Sequence, residues 1–172
     1  MKCNIVIIGF CCLLAGCSTS TTTNNKGKAP LADIDKHNQT ARLILATDSF
    51  IGHTARKCKI LLNEKDVFMK SILKSWNQKN AKHVDAAKNW TIDYASDVSL
   101  EKGQGVGIMY IGEIMSDINK SGVIASDELL SMSANENVVT CHKFRSVIES
   151  GKYDLSKSNL YPQIVELAAL TK

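Results

Sequence analysis

Between Leu31 and Tyr161 the chain contains no proline. A proline inside a helix removes a backbone donor and clashes with the preceding turn, so its absence over this stretch leaves helices of any length open. Aromatic residues make up only 6% of the chain and no alternating strand pattern of convincing length occurs, which argues against a sandwich of many short strands. With 172 residues, 44% apolar and 22% charged, the chain has the make-up of a single globular domain. The expected fold is all-α, a bundle of about five to seven helices.

The apolar spacing locates those helices. Over 33–62, Ile34, Ala41, Leu45, Phe50, Ala55, Cys58 and Leu62 recur at helical intervals, with a kink or break expected at Gly52. Over 65–100, Met69, Ile72, Leu73, Trp76, His83, Val84, Ala87, Trp90, Tyr94 and Val98 follow a 3.6-residue period, and the polar stretch 77–82 suggests two helices meeting near Asn80. Residues 101–107, with three glycines, are expected to be a connecting loop. Helices are then expected over 108–119, from 127, over 137–150 with Gly151 as the stop, and over 163–170 after Pro162.

A formal charge of +4, from 21 Lys and Arg against 17 Asp and Glu, is too even a mixture for a nucleic-acid binder. The first residues are more specific. Lys2 is followed by an apolar run from Ile5 to Ala15, too short to span a bilayer, and then by Leu14-Ala15-Gly16-Cys17 and a polar Ser/Thr/Asn stretch. These residues resemble the signal peptide and lipobox of bacterial lipoproteins. The resemblance implies a signal peptide over 1–16, cleavage before Cys17, acylation of its thiol and new amine, and anchoring to a membrane through those chains. Ser18 after the cysteine resembles the family's choice for the outer membrane, with the domain facing the periplasm. Residues 17–32 would be a tether with almost nothing to bury, and 33–172 a single helical domain.

Of six cysteines, Cys3, Cys11 and Cys12 would leave with the signal peptide and Cys17 would be lipidated. That leaves Cys58 and Cys141, which an oxidising compartment most simply joins as a disulfide between an early helix and a late one. The competing reading is a metal site of His53, Cys58, Cys141 and His142, but their spacing fits no common zinc pattern.

The sharpest internal pattern is Asp117, Asn119, Ser121, Gly122, Val123 and Glu128. It resembles the twelve-residue calcium loop of EF-hands, which implies side-chain oxygens from Asp117, Asn119, Ser121 and Glu128 and the Val123 carbonyl as ligands of calcium. Ala125 supplies no side-chain ligand, and no second loop pairs with it. A plain helical corner accounts for the same residues, with Gly122 ending one helix and Ser126 capping the next. No cofactor is required by either reading.

Catalytic patterns are scarce. The sequence has no Gly-x-Ser-x-Gly, no His-Glu-x-x-His, and no phosphate-loop lysine after Gly103, Gly105 and Gly107. His83 and His142 are candidate bases that read more simply as packing histidines, and Asp93 with Asp97 as solvated surface carboxylates. The functional expectation is therefore a non-catalytic binding or structural module of the cell envelope, with a protein partner. An inhibitor or immunity-type protein against a toxin or hydrolase is the alternative, followed by a calcium-binding protein and then a hydrolase.

Overall fold

A computed structural model describes residues 31–63 and 67–171; the signal-peptide segment, Cys17 and residues 18–30 of the expected tether lie outside the described residues. The chain is all-helical there, with five α-helices: α1 (Leu31–Leu61), α2 (Val67–Lys102), α3 (Gln104–Leu129), α4 (Ala134–Glu149) and α5 (Tyr161–Leu170). A 3-10 turn, Leu155–Lys157, lies between α4 and α5. The first helix opens two residues earlier than the expected tether boundary, directly after Pro30 in the sequence.

The first three helices form the body. Trp90 donates to Asn38 Oδ1 at 2.9 Å, and Asp48, further along α1, lines a cleft with Ala81 and Asp85, earlier in α2, so the two helices run antiparallel. Ser49 against Gly122, and Lys57 paired with Asp127, set α3 parallel to α1. The core between them holds Ile44, Leu45, Ile51, Ala55, Trp76, Ala87, Ile114 and Ile118. Helix α4 is tied to α1 by the Cys58–Cys141 disulfide, with Cα atoms 5.3 Å apart, and both cysteines are fully buried. Phe144 of α4 meets Phe50 edge-on, and Ile164 and Leu167 of α5 complete the core.

Three expected breaks are not breaks, and a fourth is shorter than expected. Helix α1 runs unbroken through Gly52, because Ile51 and Ala55 on either side are buried and packed in the core. Helix α2 runs through 77–82, because Asn80 is itself buried with partners for its amide: Nδ2 donates to the Trp76 carbonyl at 2.9 Å and Oδ1 accepts from Leu155 N–H at 2.8 Å. The expected loop over 101–107 shrinks to Gly103, whose φ of 101° makes the turn, while Gly105 and Gly107 are already in α3. Helix α3 then continues through Gly122 to Leu129, so the expected separate helices over 108–119 and from 127 are one.

The glycines of α3 explain why it does not end at them. A Cβ on Gly107 would lie 2.5 Å from the Ala95 carbonyl oxygen of α2, and one on Gly122 would lie 2.9 Å from the Phe50 nitrogen of α1. At both points α3 lies too close to its neighbour for a side chain, and helix packing supplies what helix propensity lacks. Gly151 behaves as expected: at φ 68° it ends α4, with Lys152 N–H bonded to the Val147 carbonyl and Gly151 N–H to that of Ile148, a Schellman stop.

Candidate functional site

The calcium loop is the expectation most changed by the structure. Asp117, Asn119, Ser121, Val123 and Glu128 all lie inside the uninterrupted helix α3. Eleven residues of helical rise separate Asp117 from Glu128 by about 16 Å, so the wrapped loop that would gather these ligands is not formed. His53 Nε2 donates to Asn119 Oδ1 at 2.9 Å, and Asp127 is paired with Lys57. Gly122, needed by a calcium loop for its turn, serves instead as the contact with Ser49 and Phe50. The physical reason is that the residues between the presumed helices bury one face, Ile118, Gly122 and Ser126, against the body.

The alternative metal set is also dispersed: Cys58 and Cys141 are bonded to each other and His142 is exposed. Among the described residues no three His, Cys, Asp or Glu side chains are grouped closely enough to hold a metal ion. His83 is buried with its ring edge-on to Tyr161 at 5.7 Å, and burial together with Lys82 pushes its pKa below the ordinary 6.5. His37, which the sequence reading did not single out, is buried beside Trp90, with Nε2 3.3 Å from Glu166 Oε1. Lys36 and His37 together hold the Glu166 carboxyl below its usual range and fix α5 against α1. Asp93 and Asp97 are exposed on α2.

Two surface features remain. A narrow cleft between α1 and α2 is lined by Asp48, Asn77, Ala81, Val84, Asp85 and Lys88. Burial raises the Asp48 pKa, Lys88 opposes the shift and Asp85 adds to it, which leaves one half-buried acid with a lysine beside it. The second feature is the outward side of α3. One side of this helix packs on α1 and α2, while Ile108, Met109, Gly112 and Met115 form a strip at helical spacing on the other. Above it, a shallow open depression is lined by Met109, Gly112, Glu113, Ser116, Asp117 and Lys120.

This strip was invisible to periodicity because α3 is apolar on more than one side, and periodicity cannot say which side faces the core. The nearest signal in the sequence was the pair Gly107 and Gly122, small residues fifteen apart that mark the packed side. No helix among the described residues is long and apolar enough to cross a membrane. Comparison with protein-family models, with curated proteins and with solved structures finds no match to this chain.

Proposed function

We propose that the protein is a lipid-anchored envelope protein, held through Cys17 with its domain in the periplasm, that works as a binding or structural module. The signal-peptide and lipobox residues support the anchoring, and the Cys58–Cys141 disulfide suits an oxidising compartment. The observation that carries the binding role is the outward side of α3. Its Met109 and Met115 side chains are exposed beside the charged Glu113, Asp117 and Lys120, the mixture of flexible apolar and polar groups found on surfaces that receive a partner.

Crosslinking in living cells tests this reading, with a photoreactive group placed at Met115. The expected result is one stoichiometric envelope protein joined to this site, lost when Gly112→Arg is added beside it and lost again when Cys17→Ala releases the domain from the membrane. Retrieval of nothing above background from correctly lipidated protein would overturn the binding role. A mature N-terminus without acyl chains, read by mass spectrometry, would overturn the anchoring.

A further inference from the structure

Resting on the reading that the outward side of α3 receives a partner, we propose that this partner is a second copy of the chain, its α3 laid antiparallel on the first about a two-fold axis between Ser116 and Asp117. Ile114, Ile118, Gly122 and Ser126 are buried against the body. Met109, Glu113, Ser116, Lys120 and Ile124 recur at intervals of three and four residues on the opposite side, and all five are exposed. Helices α4 and α5 make their main contacts with α1 and α2, which leaves this side of α3 open along its length.

The order of charges along this side selects the occupant. From Met109 to Ile124 it reads apolar, acidic, polar, basic, apolar, and the spacing is the same in both directions from the midpoint between Ser116 and Asp117. Glu113 and Lys120 each lie about 5 Å along the helix from that midpoint, and Met109 and Ile124 each lie about 11 Å from it. Turning a second copy end for end therefore brings Glu113 of each copy level with Lys120 of the other, and Met109 level with Ile124, each twice. Met109 and Ile124, 65% and 56% exposed, then cover one another, and the Ser116 hydroxyl can donate to the Asp117 carboxylate across the axis. Parallel pairing would instead set Glu113 on Glu113 and Lys120 on Lys120, which repel. Within one copy Glu113, Asp117 and Lys120 have no ion-pair partner among the described residues, so pairing across copies breaks no existing bridge.

The contact uses the same patch on both copies, so it closes on itself and stops at a dimer. One helix from each copy makes a small interface of the weak class, and anchoring both copies in one membrane raises their effective concentration. A two-fold axis along the membrane normal lays both long axes in the membrane plane. The two Leu31 ends then stand at equal height above the lipid, so both anchors enter the same surface.

Oxidative crosslinking of full-length, lipidated protein in its membrane tests this, with one added cysteine per chain. Position 116 lies beside the axis, so Ser116→Cys should give a disulfide-linked dimer of doubled mass. Met109→Cys alone should give none, because the two copies of position 109 lie about 22 Å apart along the helices, beyond disulfide reach, and mixing it with Ile124→Cys should restore the dimer. Glu113→Lys or Lys120→Glu, each added to Ser116→Cys, should lower the dimer yield about fivefold. Both reversals in one chain should restore it, since each reversed charge then meets the other; binding of a different protein would not recover in this way. No dimer from Ser116→Cys, in protein whose photoreactive group at Met115 captures another protein, overturns self-pairing and leaves the binding role standing. Capture of nothing at either position overturns both. Equal dimer yields from Ser116→Cys and from Met109→Cys alone, or no recovery in the double reversal, overturn the antiparallel pairing.

Discussion

Asn80 and Leu155 are 75 residues apart in sequence and joined by a 2.8 Å hydrogen bond, from the Leu155 backbone N–H to Asn80 Oδ1. The bond pins the 3-10 turn before α5 to the middle of α2, where Trp76 also donates from Nε1 to the Tyr153 carbonyl at 3.2 Å. Both groups are buried, so neither can find water in place of its partner.

Replacing Asn80 by Leu should therefore destabilise the protein although it makes the core more apolar. The variant leaves the Leu155 N–H unpaired, at a cost of about 1–3 kcal/mol. Urea denaturation measures it; a neutral or stabilising result would show that the turn finds another acceptor.

Loss of the disulfide should be the largest single effect. Cys58 and Cys141 close a loop with a sequence separation of 83. In the chain-entropy model such a closure contributes about 4–5 kcal/mol, a large share of the stability of a small domain. Chemical denaturation of the double Cys58→Ser, Cys141→Ser variant beside the oxidised protein reads this difference directly, and a shift below about 1 kcal/mol would mean that α4 is held by packing alone.

Glycine-to-alanine substitutions in α3 should divide by position. Gly122→Ala and Gly107→Ala put a methyl group into the backbone of α1 or α2 and should lower the melting temperature. Gly112→Ala meets nothing within 4 Å and is helical and exposed, so it should raise stability by up to about 1 kcal/mol. Thermal melts of the three variants give the comparison, and the same sign for Gly112 and Gly122 would contradict the packing described for α3.

Stability should fall as the pH drops through the region just below 6.5. His83 has a lowered pKa in the fold, from burial first and Lys82 second, whereas the unfolded chain binds its proton near 6.5. Between those two values the unfolded state holds more protons and is favoured as the pH decreases. His83→Gln should flatten that part of the profile, measured as denaturation midpoint against pH; an unaltered slope would assign it to another group.

Asp48 has the opposite linkage. Its pKa is raised, so the folded state is penalised when the carboxyl ionises above about 3.8, with Lys88 offsetting part of the penalty. Asp48→Asn should stabilise the protein at pH 7, by less than about 1 kcal/mol because the cleft is open to water, and the gain should shrink as the pH falls towards 4. Paired melts at pH 7 and pH 4 check both halves.

The residues themselves carried a good part of this. Freedom from proline between Leu31 and Tyr161 permitted helices of 31, 36 and 26 residues, and the spacing of Ala41, Leu45, Ala55 and Cys58, and of Ile72, Trp76, Val84 and Ala87, was legible as one buried side of each of the first two. The stop at Gly151 and the helix start near Pro162 follow from the backbone preferences of single residues. Pairing of Cys58 with Cys141 followed from counting the cysteines that an exported lipoprotein would retain.

What only the tertiary structure decided was whether a local signal would prevail. Gly52, Asn80, Gly107 and Gly122 each lower helix propensity by up to about 1 kcal/mol, and each reads locally as a break. In the fold, Asn80 has its amide satisfied by Trp76 and Leu155, and Gly107 and Gly122 let α3 close on α2 and α1. Those gains come from partners far away in sequence, so no window of neighbouring residues contains them. The same holds for the outward strip of α3: Ile108, Met109 and Met115 are as apolar as the core, and only the place of the other helices leaves them uncovered.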